Sequence, residues 1–149
     1  MHFGATVTLE GYNIHMSSFE EIDHTADWAF RVSAPTLEGL FLTAVEAMYQ
    51  LGGMQTAPAQ GTERVIRLES EDREGLLVAW LNEMLFLLEH DRLVLRDLVF
   101  EKFSPTEILA RGTTAPVVAS GKYIKAATYS GLKILQSDAG WEATIVLDV

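Results

Sequence analysis

TADWAFRVSAPTLEGLFLTAVEAMYQL, residues 25–51, changes its hydrophobic period partway along and so decides the class of fold. Ala26, Trp28, Phe30 and Val32 alternate with Thr25, Asp27, Ala29, Arg31 and Ser33, the period-two pattern of a half-buried strand, which turns Asp27 away from the core. Pro35 and Thr36 then offer a helix start. Leu37, Leu40, Phe41, Ala44, Met48 and Leu51 follow at helical spacing until Gly52-Gly53 closes the run.

Downstream, residues 54–62 read as a loop and 63–69 as an exposed strand. Ser70 is a candidate N-cap for a second helix, with Glu71, Asp72 and Glu74 suited to its positive end and Leu77, Trp80, Leu81, Met84 and Leu88 as its apolar stripe. Strands are expected near 93–102, 106–112, 122–129 and 131–136, the last two joined through Ser130-Gly131. In the final segment Trp141, Ala143, Ile145, Leu147 and Val149 share one face, while Glu142, Thr144, Val146 and Asp148 share the other. Two helices and about seven strands predict an α+β fold, with the helices packed on a largely antiparallel β-sheet sandwich. Residues 18–149 read as a single domain and residues 1–17 as a flexible leader, although Met16 leaves open that 1–15 are an over-called translation start.

The chain has 149 residues, 48% of them hydrophobic, which suits one core. It lacks cysteine, so a metal would be held by oxygen or imidazole nitrogen. Its longest apolar runs are broken by charge before the roughly 20 residues of a membrane span, and no secretory signal opens the chain; the cytoplasm is the expected compartment. Twenty-one acids against 11 bases give a formal net charge of −10, which opposes tight direct binding to nucleic acid. A role in RNA chemistry would then need a protein partner to grip the RNA. No P-loop, dinucleotide fingerprint, nucleophile elbow or zinc-protease pattern is present.

One cluster stands out: Asp23-His24-Thr25-Ala26-Asp27, oxygen and imidazole groups at the start of a strand. It can bind a cation, or it can be a local turn with His24 paired to backbone, which is the commoner fate. Asp148 and the α-carboxylate of Val149, if that is the native terminus, can reach one point. With Asp27 they would offer up to about six oxygens to a hard ion such as Ca²⁺ or Mg²⁺; a frayed, solvated terminus is the plainer alternative. Lys125 reads as a lone base that either counters the acids or is simply solvated.

Several stretches resemble the archease family: Phe19-Glu20-Glu21-Ile22-Asp23-His24-Thr25-Ala26-Asp27, Thr36-Leu37-Glu38, Leu76-Leu77 to Trp80-Leu81-Asn82-Glu83, Ile124-Lys125-Ala126-Ala127-Thr128-Tyr129, and Val146-Leu147-Asp148-Val149. The resemblance implies a cytoplasmic, non-catalytic protein that activates the RNA-splicing ligase joining 3'-phosphate to 5'-hydroxyl ends. It would promote guanylylation of the ligase and its multiple turnover in tRNA splicing and RNA repair. It further implies a calcium ion held by Asp27, Asp148 and Val149, with Asp23, His24 and Lys125 as supporting or partner-contacting residues. A chaperone-like modulator of tRNA-modifying enzymes, such as a tRNA cytosine methyltransferase, is the alternative the resemblance carries. A stand-alone metal-dependent hydrolase with His24 as base is a third reading, for which no second metal cluster is evident. The stretch 104–121, with Pro116-Val117-Val118, departs from the family, whose members often have a longer, charged loop there.

Overall fold

The computed structural model describes residues 17–22, 27–59 and 61–149. The period-two segment becomes a strand, β2 (Trp28–Ala34), after β1 (Ser18–Ile22), which pairs antiparallel along one of its edges. Trp28, Phe30, Val32 and Ala34 are buried as their alternation requires. β1 was not expected. Its inward positions are Phe19 and Glu21, and a carboxylate on the core side hides the alternation; Glu21 is satisfied there by the Trp28 indole N–H at 2.8 Å.

Thr36 caps the first helix, α1 (Leu37–Leu51), its hydroxyl accepting from the Gly39 N–H at 3.0 Å, and Gly52 ends it as expected. Two strands follow, β3 (Gln55–Thr56) within the expected loop and β4 (Glu63–Glu69). The second helix, α2 (Arg73–Asp91), begins after Asp72 rather than Ser70. Asp72 accepts from the Gly75 N–H at 2.7 Å, whereas the Ser70 N–H is committed to the Thr106 carbonyl at 2.9 Å and so stays outside the helix. The left-handed Arg92 closes α2, and His90 in its last turn lies against the Phe86 ring with centroids 4.3 Å apart.

β5 (Leu93–Ser104) and β6 (Glu107–Ala119) form a long hairpin. β6 runs seven residues beyond the expected end at 112, so much of the departing stretch 104–121 is strand rather than loop. The apparent obstacle, Pro116, lacks an N–H, but its carbonyl still accepts from Ala57 at 3.0 Å. β4 and β3 lie end to end along the other edge of β6. In the first sheet the last strand, β9 (Gly140–Asp148), takes the position of β6: β2 lines one edge, and β7 (Ala126–Thr128) and β8 (Ile134–Ser137) lie end to end along the other. The strands expected at 122–129 and 131–136 shrink to these two. Both run antiparallel to β9, so they run the same way and cannot pair as a hairpin.

Among the described residues all pairing is antiparallel, with two helices and two sheets, and the fold is α+β. α1 packs on β1, β2 and β9 but also on β5, and α2 packs on β4 and β5 but also on β7. Each helix thus touches both sheets and joins them into one core. Being covered on more than one side, α2 buries Leu76, Val78, Leu85 and Leu87 beyond its expected stripe. Trp80 sits at the junction, fully buried, donating its indole N–H to the Phe41 carbonyl of α1 at 3.0 Å and lying 5.3 Å from the Phe100 ring of β5. No helix among the described residues is long and apolar enough to cross a membrane.

Candidate functional site

The ladder between β2 and β9 ends at the pair Trp28 and Leu147, both buried, and the next positions outward are Asp27 and Asp148. An antiparallel register therefore sets one carboxylate before the first residue of β2 beside another at the last residue of β9. Asp27 is half-buried and Asp148 exposed. Val149 follows just beyond the strand, with half its surface exposed. On the far side of β9, Ala126 pairs with Asp148, and the Lys125 N–H donates to the Asp148 carbonyl at 2.8 Å. Lys125 lies just before β7 rather than on a strand, and its side chain is exposed. Asp27, Asp148, Val149 and Lys125 thus share one end of the first sheet. Asp23 and His24 lie outside the described residues.

Two further groups support this end without having been singled out from sequence. The Trp28 ring, next to Asp27, is fixed by its hydrogen bond to Glu21 and lies under the Lys122 ammonium, 5.1 Å from the centroid. The Asn82 carboxamide on α2 accepts from the Ala127 N–H at 2.8 Å and donates to the Ala127 carbonyl at 3.3 Å. About two turns of α2 earlier in the chain, Glu74 accepts from the Ile134 N–H at 3.0 Å and Arg73 donates to the Ile134 carbonyl at 2.9 Å. Side chains of α2 thus complete the backbone bonding of both short strands. Nothing in the local pattern marked Asn82 or Glu21, since each reads as a polar residue on a solvated face.

The donors gathered here are carboxylate oxygens, which suit a hard cation. Among the described residues no three His, Cys, Asp or Glu side chains converge on one point. The two aspartates therefore fit an ion only with oxygens added from elsewhere, such as water or the α-carboxylate of Val149 where that residue ends the chain. Depressions of about 400 Å³ beside Leu42, Tyr49 and Leu98, and of about 330 Å³ beside Arg67, Glu69 and Glu107, are lined by other residues.

Residues 19–149 match the Archease protein family (MTH1598/TM1083). The chain is 37% identical over 145 residues to "Protein archease" of Methanosarcina mazei, covering 88% of this chain and 95% of that one. The solution structure of Methanobacterium thermoautotrophicum protein 1598 superposes with a TM-score of 0.66 at 27% identity, covering 88% and 98% of the two chains. The crystal structure of a Thermotoga maritima archease, described as a "possible chaperone", gives a TM-score of 0.65 at 22% identity over 86% and 94%, a likeness of fold.

Proposed function

Because the chain belongs to the archease family, we propose that it is a non-catalytic activator of the RNA-splicing ligase that joins 3'-phosphate to 5'-hydroxyl ends. The observation that carries this reading is the side-by-side placement of Asp27 and Asp148 at one exposed sheet end. Two carboxylates brought to adjacent strand ends offer oxygens from which a cation can be held, or an acidic patch that a basic partner surface can meet. When bound, Ca²⁺ would neutralise these carboxylates and present a positive centre to an anionic or carbonyl group of the ligase. Asp27 and Asp148 would hold it, joined by the α-carboxylate of Val149 where that residue ends the chain. Lys125, whose backbone is tied to Asp148, offers an ammonium beside them for an acidic or phosphate group.

Activation requires that this end bind the guanylylation-competent form of the ligase more tightly than the idle form. A 100-fold acceleration corresponds to about 2.7 kcal/mol of such preference, within reach of a small charged surface. The formal charge of −10 leaves the RNA to the ligase, and negligible tRNA binding by the isolated protein is expected at physiological salt. The deciding assay is ligase guanylylation with and without this protein across a calcium series. Calcium-dependent stimulation is expected; no stimulation at any ion concentration would remove the ligase from the reading. The competing role, a chaperone-like modulator of tRNA-modifying enzymes, expects protection of such an enzyme from aggregation instead.

A further inference from the structure

The proposed ion site explains Asp27, Asp148 and Lys125 but leaves Asn82 without a part. Asn82 projects from the middle of α2 and meets β7, where its carboxamide takes both backbone groups of one residue, Ala127. An amide oriented in this way imitates a neighbouring strand. β7 has only three residues; one edge is paired to the end of β9, and on the other this bidentate contact ties Ala127 to α2. Two residues before Ala127, the Lys125 N–H holds the carbonyl of Asp148. Hydrogen bonds therefore tie α2 to Ala127 and Lys125 to Asp148, the last residue of β9, and two peptide units of backbone join Ala127 to Lys125.

We propose that Asn82 is a positioning residue for the acidic end of the first sheet: it sets Lys125 and Asp148 in place through β7 and touches neither. The part that concerns ion affinity rests on the cation reading above; the placement of Lys125 does not. A purely structural Asn82 would, when replaced, lower the stability of the whole fold evenly. A positioning Asn82 would loosen one end selectively.

The test compares Asn82→Ala with Ile108→Ala in the full chain. Ile108 is buried in β6 of the other sheet, so its loss weakens the fold without touching β7. At temperatures chosen to match overall stability, hydrogen exchange at the Lys125 amide is expected to be about tenfold faster in Asn82→Ala than in Ile108→Ala. Calcium affinity measured by calorimetry is expected to fall about tenfold in Asn82→Ala alone, the scale typical of groups that orient metal ligands. Equal Lys125 exchange in the two variants would overturn the proposal. If the unaltered protein takes up no calcium, the cation reading fails, and the exchange rates still decide the role of Asn82. Should Asn82→Ala not fold, Asn82→Asp keeps the acceptor for Ala127 and loses the donor. Its Lys125 exchange is then expected to rise several-fold over Ile108→Ala, and an unchanged rate would count against the proposal.

Discussion

On the outer face of the second sheet charges are matched across strands, whereas at the end of the first sheet they are stacked alike. Arg111 of β6 lies 2.6 Å from Glu101 of β5 and 3.8 Å from Glu63 of β4, and Lys102 lies 3.2 Å from Glu107. Arg31 does the same on the outer face of the first sheet, between Glu20 and Glu142. Such pairs follow from cross-strand register and help to specify it. Asp27 and Asp148 arise from register equally, yet with the same sign. The difference is one of sign pattern: opposite charges meet across the strands on the outer faces, and like charges meet at this sheet end.

Binding should break the comparison most strongly. At calcium about 100 times its dissociation constant, the unaltered protein should gain about 2.7 kcal/mol of stability, and Asp148→Asn should gain almost none. In chelator the same variant should melt no lower than the unaltered protein, since one of two like charges has gone. A clear drop in its metal-free melting temperature would show that Asp148 serves the fold after all. Ligase stimulation by Asp148→Asn should be lost.

Titration sharpens the contrast from the side of the core. Burial pushes the Tyr49 hydroxyl up from 10.0 to about 12, opposed in part by the hydrogen bond it accepts from the Leu95 N–H. The proton is held more tightly in the folded than in the unfolded chain, so this contribution is complete below pH 10 and is lost as pH rises toward 12. Denaturant titrations should show stability falling by on the order of 2 kcal/mol across that window, and Tyr49→Phe should remove this part of the slope. Calcium affinity between pH 7 and 9 should be the same in both proteins.

The smallest effect is expected on the matched face. Arg111→Met breaks two exposed pairs and should cost less than about 1 kcal/mol, with ligase stimulation unchanged. Stimulation that fell with Arg111→Met would move the partner surface onto the second sheet.

The helices were legible because a 3.6-residue period survives any detail of packing, and Thr36 and Gly52 mark the ends of α1 by local chemistry alone. β1 was hidden by Glu21, whose inward carboxylate makes sense only once Trp28 lies across from it. The far half of β6 was hidden by Pro116, which is harmless only where a neighbour needs its carbonyl and not an N–H. Ser70 read as the cap of α2, but its N–H extends the ladder to Thr106 and Asp72, expected only within the helix's first turn, takes the capping role. At the candidate site, family resemblance singled out Asp27 and Asp148, and the register of β2 against β9 supplies the reason they are neighbours. Asn82 was illegible for the opposite reason: its partner is a backbone 45 residues away, and no residue type advertises that contact.

The bonds from α2 to Ala127 and Ile134 also bear on how the protein behaves in a crowded solution. Short strands at a sheet margin present donors and acceptors that another chain can join, the usual beginning of β-aggregation. Here Asn82, Glu74 and Arg73 occupy those groups at one residue of each strand, so an incoming strand would have to displace them before it could add to the sheet. The same helix that ties this margin down thereby guards it against the addition of a strand from another copy.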